Sequence, residues 1–131
     1  MIGAKELNEH GYATTPEIDA NLAILLDRLN RARMAYGSPF TVTSGLRSES
    51  QQEALIAAGK SNAPHSKHLT GQAADVADDD GALRAWVKAN MDLMIEIGFW
   101  FEAFESTPTW VHFQICPYGS WVEGKSRIFI P

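Results

Sequence analysis

The chain has 131 residues, with eleven Lys and Arg against sixteen Asp and Glu for a net charge of −5. That length suits one domain, residues 1–131, able to bury a core without disulfides, and the single Cys, Cys116, excludes an internal one. A negative balance speaks against nucleic acid as a partner, and the aliphatic run around Ala23 to Leu26 is far too short to cross a bilayer, so no membrane partner is expected.

The opening stretch "MIGAKELNEHGYATT" mixes charges and lacks the apolar run of a signal peptide, so synthesis in the cytoplasm without an export signal is expected. Thr15, Pro16 and Glu17 read as an N-cap followed by Pro at the first helical position. Ile18, Leu22, Leu25 and Leu29 recur at helical spacing, which predicts a helix from about Pro16 to Tyr36, ended by "GSP" at 37–39. "FTVTSG", from Phe40, alternates like a short strand. "SESQQEALIAAG" has a Ser cap and a closing Gly59, as a helix of about ten residues would.

"KSNAPHSKHLTG" is polar and holds Pro64 and Gly71, so an ordered surface loop is expected there. It leads into "QAADVAD", a strand with Ala73, Asp75 and Ala77 on one face. "DDDGALRAWVKANMDLMIEIG" places Leu83, Trp86, Val87, Met91 and Met94 near helical spacing, with a break expected at Asn90. "FWFEAF", "WVHFQI" and "RIFIP" are short aromatic and β-branched runs that read as antiparallel strands. The whole is α+β: a small, mostly antiparallel sheet flanked by helices.

A period of two in "TWVHFQI" sends Val111, Phe113 and Ile115 to the core and puts Trp110, His112 and Gln114 on the other face. If "AADVA" is a neighbouring strand, Asp75 shares that second face, and His68, at the end of the loop, can fold over both. Two imidazoles and one carboxylate form a zinc ligand set, and three protein ligands leave a fourth position open, as catalytic zinc requires.

"SGLRS" at 44–48, "SKHLTGQAADV" at 66–76 and "WVHFQ" at 110–114 together resemble the zinc D-alanyl-D-alanine carboxypeptidase family, which includes phage endolysins, D-alanyl-D-alanine dipeptidases and, by fold, the Hedgehog signalling domain. Every position of the family signature S-x-H-x-x-G-x-A-x-D and W-x-H is filled. The resemblance implies Zn²⁺ held by His68, Asp75 and His112, a substrate oxygen met by Arg47, substrate support from Ser66, and a peptidoglycan peptide as substrate. The lack of an export signal and the small size suit a phage or prophage enzyme that reaches the wall in host lysis or, equally, a virion component, and a monomer is expected. Gly71 would let the loop turn back so that His68 and Asp75 converge.

The chain departs from many relatives at Thr109, three residues before the second His, where they carry an acid or His as general base. Glu102 is the first replacement, since phage-type members often carry an acid about there, and Glu105 is the reserve. A metal-holding binding module of the same fold without the base is the alternative function, and an unrelated domain with accidental matches would hold no metal.

The remaining polar residues have plainer readings. His10 and His65 read as surface or hydrogen-bonded residues, although His65 could line the cleft, and Cys116 reads as packing. Asp78, Asp79 and Asp80 read as acids favoured at a helix start rather than a calcium site. Trp100, Trp110 and Trp121 could pack in the core or form an aromatic wall; their spacing does not decide.

Overall fold

The computed structural model describes residues 2–61 and 65–131; Met1 and, within the predicted polar loop, Asn62, Ala63 and Pro64 lie outside the described residues. The first element, α1 (Ala4–Leu7), is a single turn with no readable period in the sequence. Helix α2 (Pro16–Tyr36) has its expected limits. Thr15 Oγ1 accepts the Ile18 N–H at 3.2 Å, and Gly37, at φ 82°, closes the last turn. Leu25, Leu29 and Ala32 are its buried stripe, while Ile18 is only half-buried.

Helix α3 (Glu49–Ala57) starts at the Ser48 cap, and its buried residue is a polar one, Gln52. Asn90 divides the third predicted helix into α4 (Ala82–Ala89) and α5 (Met91–Ile97), with Leu83, Val87, Met94 and Ile97 facing inward. The acids before α4 are caps: Asp78 accepts from the Leu83 and Arg84 N–H groups at 2.9 and 3.0 Å, and Asp80 from that of Ala82 at 3.0 Å. Asp78 also receives Arg84 Nε at 2.8 Å.

Burial works against ionisation of Asp78, but the Arg84 bond and the two backbone N–H groups prevail and hold its carboxyl below the usual carboxylate range. The contribution to stability is therefore complete above about pH 4, the unfolded carboxylate value, and fades as pH falls through the lower folded value. Asp78→Ala should cost about 2 kcal/mol in urea unfolding at neutral pH, the upper range for a lost cap. The gap from wild type should narrow in acid; an equal gap at all pH values would refute this account.

Five strands form one sheet: β1 (Val42–Ser44), β2 (Ala73–Ala77), β3 (Trp100–Glu102), β4 (Trp110–Gln114) and β5 (Ile128–Phe129), in the order β1-β2-β4-β3-β5. The central pair β2–β4 runs antiparallel from Ala73↔Gln114 to Ala77↔Trp110, with Asp75 opposite His112. Val76, Val111, Phe101 and Phe113 point into the core beneath the helices, where Phe99, Phe101 and Phe113 meet edge to face or tilted.

Two strand expectations are corrected. β5 runs parallel to β3. The segment 115–127 starts at the end of β4, which lies against the start of β3, and a strand beginning at that same end must run in the β3 direction. The predicted strand "FWFEAF" stops at Glu102, and Phe104–Ser106 is a 3₁₀ turn that buries the Phe104 ring. No helix among the described residues is long and apolar enough to cross a membrane.

Candidate metal centre

The sheet face opposite the core carries the chemistry. Strand pairing sets Ser44, Asp75 and His112 side by side on β1, β2 and β4, and Glu102 of β3 lies next to His112, Glu102 Oε1 being 3.8 Å from His112 Nδ1. His68 closes the group from the loop before β2. Gly71 makes that loop possible: its φ is +73°, and a Cβ there would press on Leu22 and Ile18 of α2. Gly45 is needed as well, because a Cβ at this position would overlap the Leu7 backbone.

His68, Asp75 and His112 are 2%, 7% and 4% exposed, and one donor atom from each lies within 4.8 Å of the others. Asp75 Oδ1 sits 3.4 Å from His68 Nε2 and 3.0 Å from His112 Nδ1. The far side of each ring is already committed. His68 Nδ1 is 2.8 Å from the Gly45 carbonyl, which can only accept, so this nitrogen carries the hydrogen and Nε2 keeps its lone pair.

For His112 the same logic runs through Gln114. The Gln114 amide nitrogen donates to the Cys116 carbonyl at 2.8 Å, so its oxygen faces His112 Nε2 at 3.0 Å. Nε2 is therefore the donor, and Nδ1 turns its lone pair to Asp75. In their neutral forms the two imidazoles thus turn lone pairs toward the Asp75 carboxylate, an arrangement that a cation completes, whether a proton or a metal ion. The donor set, its spacing and the outer bonds that fix each ring all suit zinc.

Charge tells the same story. Burial opposes ionisation of Asp75, but the positive charge at His68 and the hydrogen bonds that the two rings donate in their protonated forms hold its carboxyl far below the usual carboxylate range. Burial alone would lower the pKa of His112; the bond to Asp75, the Asp75 charge and Glu102 raise it on balance. In the metal-free protein His112 therefore keeps a proton to higher pH than a free imidazole, and a metal ion must displace it. Apparent zinc affinity, read by competition with a chromophoric chelator, should fall about tenfold per pH unit below that titration. A flat profile from about pH 8 to about pH 5 would show that His112 is no ligand.

These residues sit at a cleft of about 400 Å³ that also takes in Arg47, Lys60, Ser61, Trp110 and Pro131. Arg47 donates to Asp75 Oδ2 at 3.3 Å. Burial draws its pKa down against the pull of Asp75 and Glu102, and a guanidinium stays charged regardless. Among the described residues lining the cleft Glu102 is present, whereas Glu105 is exposed on the 3₁₀ turn and absent from the lining. Ser66 shapes the loop, its Oγ accepting the His68 N–H at 3.2 Å. The Thr109 side chain is exposed, and its carbonyl accepts from the Asp78 N–H.

His10 is exposed beside Glu9, and His65 is exposed and outside the lining. The three Trp form no single wall. Trp110 lines the cleft, while Trp100 and Trp121 enclose the Arg127 guanidinium at 4.0 and 4.8 Å. Sequence reading missed the supports: the Gly45 carbonyl, Ser44, Gln52 and the amide of Gln114. Of these only Gln114 had a visible signal, its place two residues from His112 on the same strand face.

A three-donor site with one acid and one Arg beside it holds the groups that a metal-dependent hydrolase needs. The chain belongs to the Peptidase M15 family, whose profile matches residues 2–112; peptidases of this family are zinc-dependent, and the chain is a metallopeptidase of α+β fold. Among solved structures it is similar to the L-Ala D-Glu endopeptidase ChiX of Serratia marcescens, at 28% identity and a TM-score of 0.55, over 84% of this chain and 95% of that one. No curated protein matches the chain.

Proposed function

We propose that the protein hydrolyses peptide bonds in bacterial peptidoglycan stem peptides, with zinc held by His68 Nε2, Asp75 Oδ1 and His112 Nδ1. The observation that carries this reading is the convergence of those three donors with Glu102 and Arg47 on one cleft. Zinc held there supplies Lewis-acid polarisation of a carbonyl and makes hydroxide available near neutral pH.

The chain's own residues do the rest. Glu102, beside His112, takes the proton from the attacking water and returns it to the leaving amine, the work that Thr109 cannot perform. Among the described residues Arg47 makes three side-chain bonds, which leave one further N–H on each Nη, enough to hold a carboxylate. Ser66 supports the site through the His68 loop.

Two cuts fit this arrangement: the terminal D-alanyl-D-alanine bond, implied by the sequence resemblance, and the L-Ala–D-Glu bond named for the Serratia relative. In both, the residue after the cut carries a free α-carboxylate, because D-Glu continues the stem through its side chain. An ordinary peptide interior has no such group. Arg47 thus selects for the stem peptide whichever of the two bonds is cut. We place this action at the wall, after host lysis or as a virion component, by a monomer.

Mass spectrometry of muropeptides treated with the purified protein, with and without chelator, tests the reading. Loss of one D-Ala reports the first cut and separation of L-Ala from D-Glu the second, and chelator should stop either. Zinc bound at one per chain with every muropeptide intact would instead establish the binding module that Thr109 favours.

A further inference from the structure

Arg47 is held from three directions. Its Nε donates to Ser44 Oγ at 3.0 Å, Nη1 to Gln52 Oε1 at 3.0 Å, and Nη2 to Asp75 Oδ2 at 3.3 Å. Ser44 and Asp75 belong to the sheet, whereas Gln52 comes from α3 and is 1% exposed. Complete burial of a Gln is uncommon and calls for partners at its amide. Gln52 has them: Oε1 accepts from Arg47, and Nε2 donates to Ser61 Oγ at 2.9 Å. The orientation of the amide is not arbitrary, since a guanidinium can only donate.

The chain of contacts is continuous. It runs from Ser61 in the cleft wall through Gln52 and Arg47 to Asp75, whose other oxygen faces both imidazoles. We propose that Gln52 is a positioning residue: by holding Nη1 it fixes the plane of Arg47, so that one edge bears on the metal ligand Asp75 and the N–H groups left over face the substrate's carboxylate. The proposal rests on the reading of Arg47 given above. It adds that the geometry of the carboxylate subsite is set from α3, outside the residues that touch metal or substrate.

The test compares Gln52→Leu, close in volume with no hydrogen-bonding atom, and Gln52→Glu, which keeps the acceptor for Arg47. In the zinc-loaded protein Gln52→Leu should raise KM for the cleaved muropeptide about 10- to 100-fold, the worth of a bond to a charged group, with kcat within about threefold of wild type. Gln52→Glu should restore KM to near wild type. Zinc affinity, read by chelator competition, should be about tenfold weaker in Gln52→Leu, because Asp75 loses a fixed neighbour. Gln52→Met serves the same comparison if the Leu variant does not fold.

A folded Gln52→Leu protein with unchanged KM and unchanged zinc affinity overturns the proposal. So does a Gln52→Glu protein as impaired as the Leu variant, since the acceptor would then not be what matters. The zinc arm requires no turnover: a wild type that binds zinc and cuts nothing refutes the peptidase reading, while the zinc affinity of Gln52→Leu still decides this one.

Discussion

Asp75→Asn should purify with little or no zinc and have no measurable hydrolase activity, although its side chain keeps the same shape. Asp75 serves two masters: Oδ1 faces His68 and His112, and Oδ2 receives Arg47. An amide satisfies only one of them. With its oxygen toward the rings, its NH₂ confronts the Arg47 guanidinium, donor against donor. With its NH₂ toward the rings, it caps the two imidazole lone pairs that the metal needs. Either orientation also removes the negative charge that offsets a buried cation.

Zinc affinity should therefore drop on the order of 10³-fold or more, about 4 kcal/mol. Metal content by mass spectrometry and circular dichroism of the same sample are the measurements, and the fold should persist because the flipped amide can bond both rings. Stoichiometric zinc in a folded Asp75→Asn protein would remove Asp75 from the ligand set.

The second large effect is expected at Glu102. Glu102→Gln leaves an amide of the same size beside His112 but takes away the group that accepts a proton. We expect kcat to fall roughly 10²- to 10⁴-fold, the usual contribution of a general base, with zinc content unchanged. Glu105→Gln, on the exposed 3₁₀ turn, should behave as wild type. The pair of variants is read in one muropeptide assay with metal analysis alongside. A Glu102→Gln enzyme with normal kcat would move the base elsewhere, and an impaired Glu105→Gln would bring the reserve candidate forward.

Local chemistry explains how much of the architecture was legible in advance. Thr15-Pro16 at the start of α2 and Gly37 at its end are strong signals because capping and left-handed closure are decided within a few residues. The break at Asn90 and the caps at Asp78 and Asp80 are equally local. The two errors concern direction and termination in the aromatic C-terminal third. A two-residue strand such as β5 has no period that could reveal its partner, and Phe104 reads as strand but is drawn into the core by a turn.

The same division applies to the site. The sequence by itself determined that His68, Asp75 and His112, whose donor atoms the structure brings together, belong to one candidate site, because strand alternation, the Gly71 turn and a dense signature all lie within short stretches of chain. It also narrowed the acid to Glu102 or Glu105. Only the tertiary structure decided which of the two stands at the metal site, which nitrogen of each imidazole is free to bind, and that Arg47 is anchored by Gln52. The Arg47 anchor and the His68 ring depend on partners 5 and 23 residues away in sequence, brought together by strand register and by α3 packing beside the sheet, whereas the His112 ring is set by Gln114, two residues along the same strand. Hydrogen-bond direction at a buried ring is set by whatever carbonyl or amide meets its far side, and for His68, which meets the distant Gly45 carbonyl, no local pattern encodes that meeting.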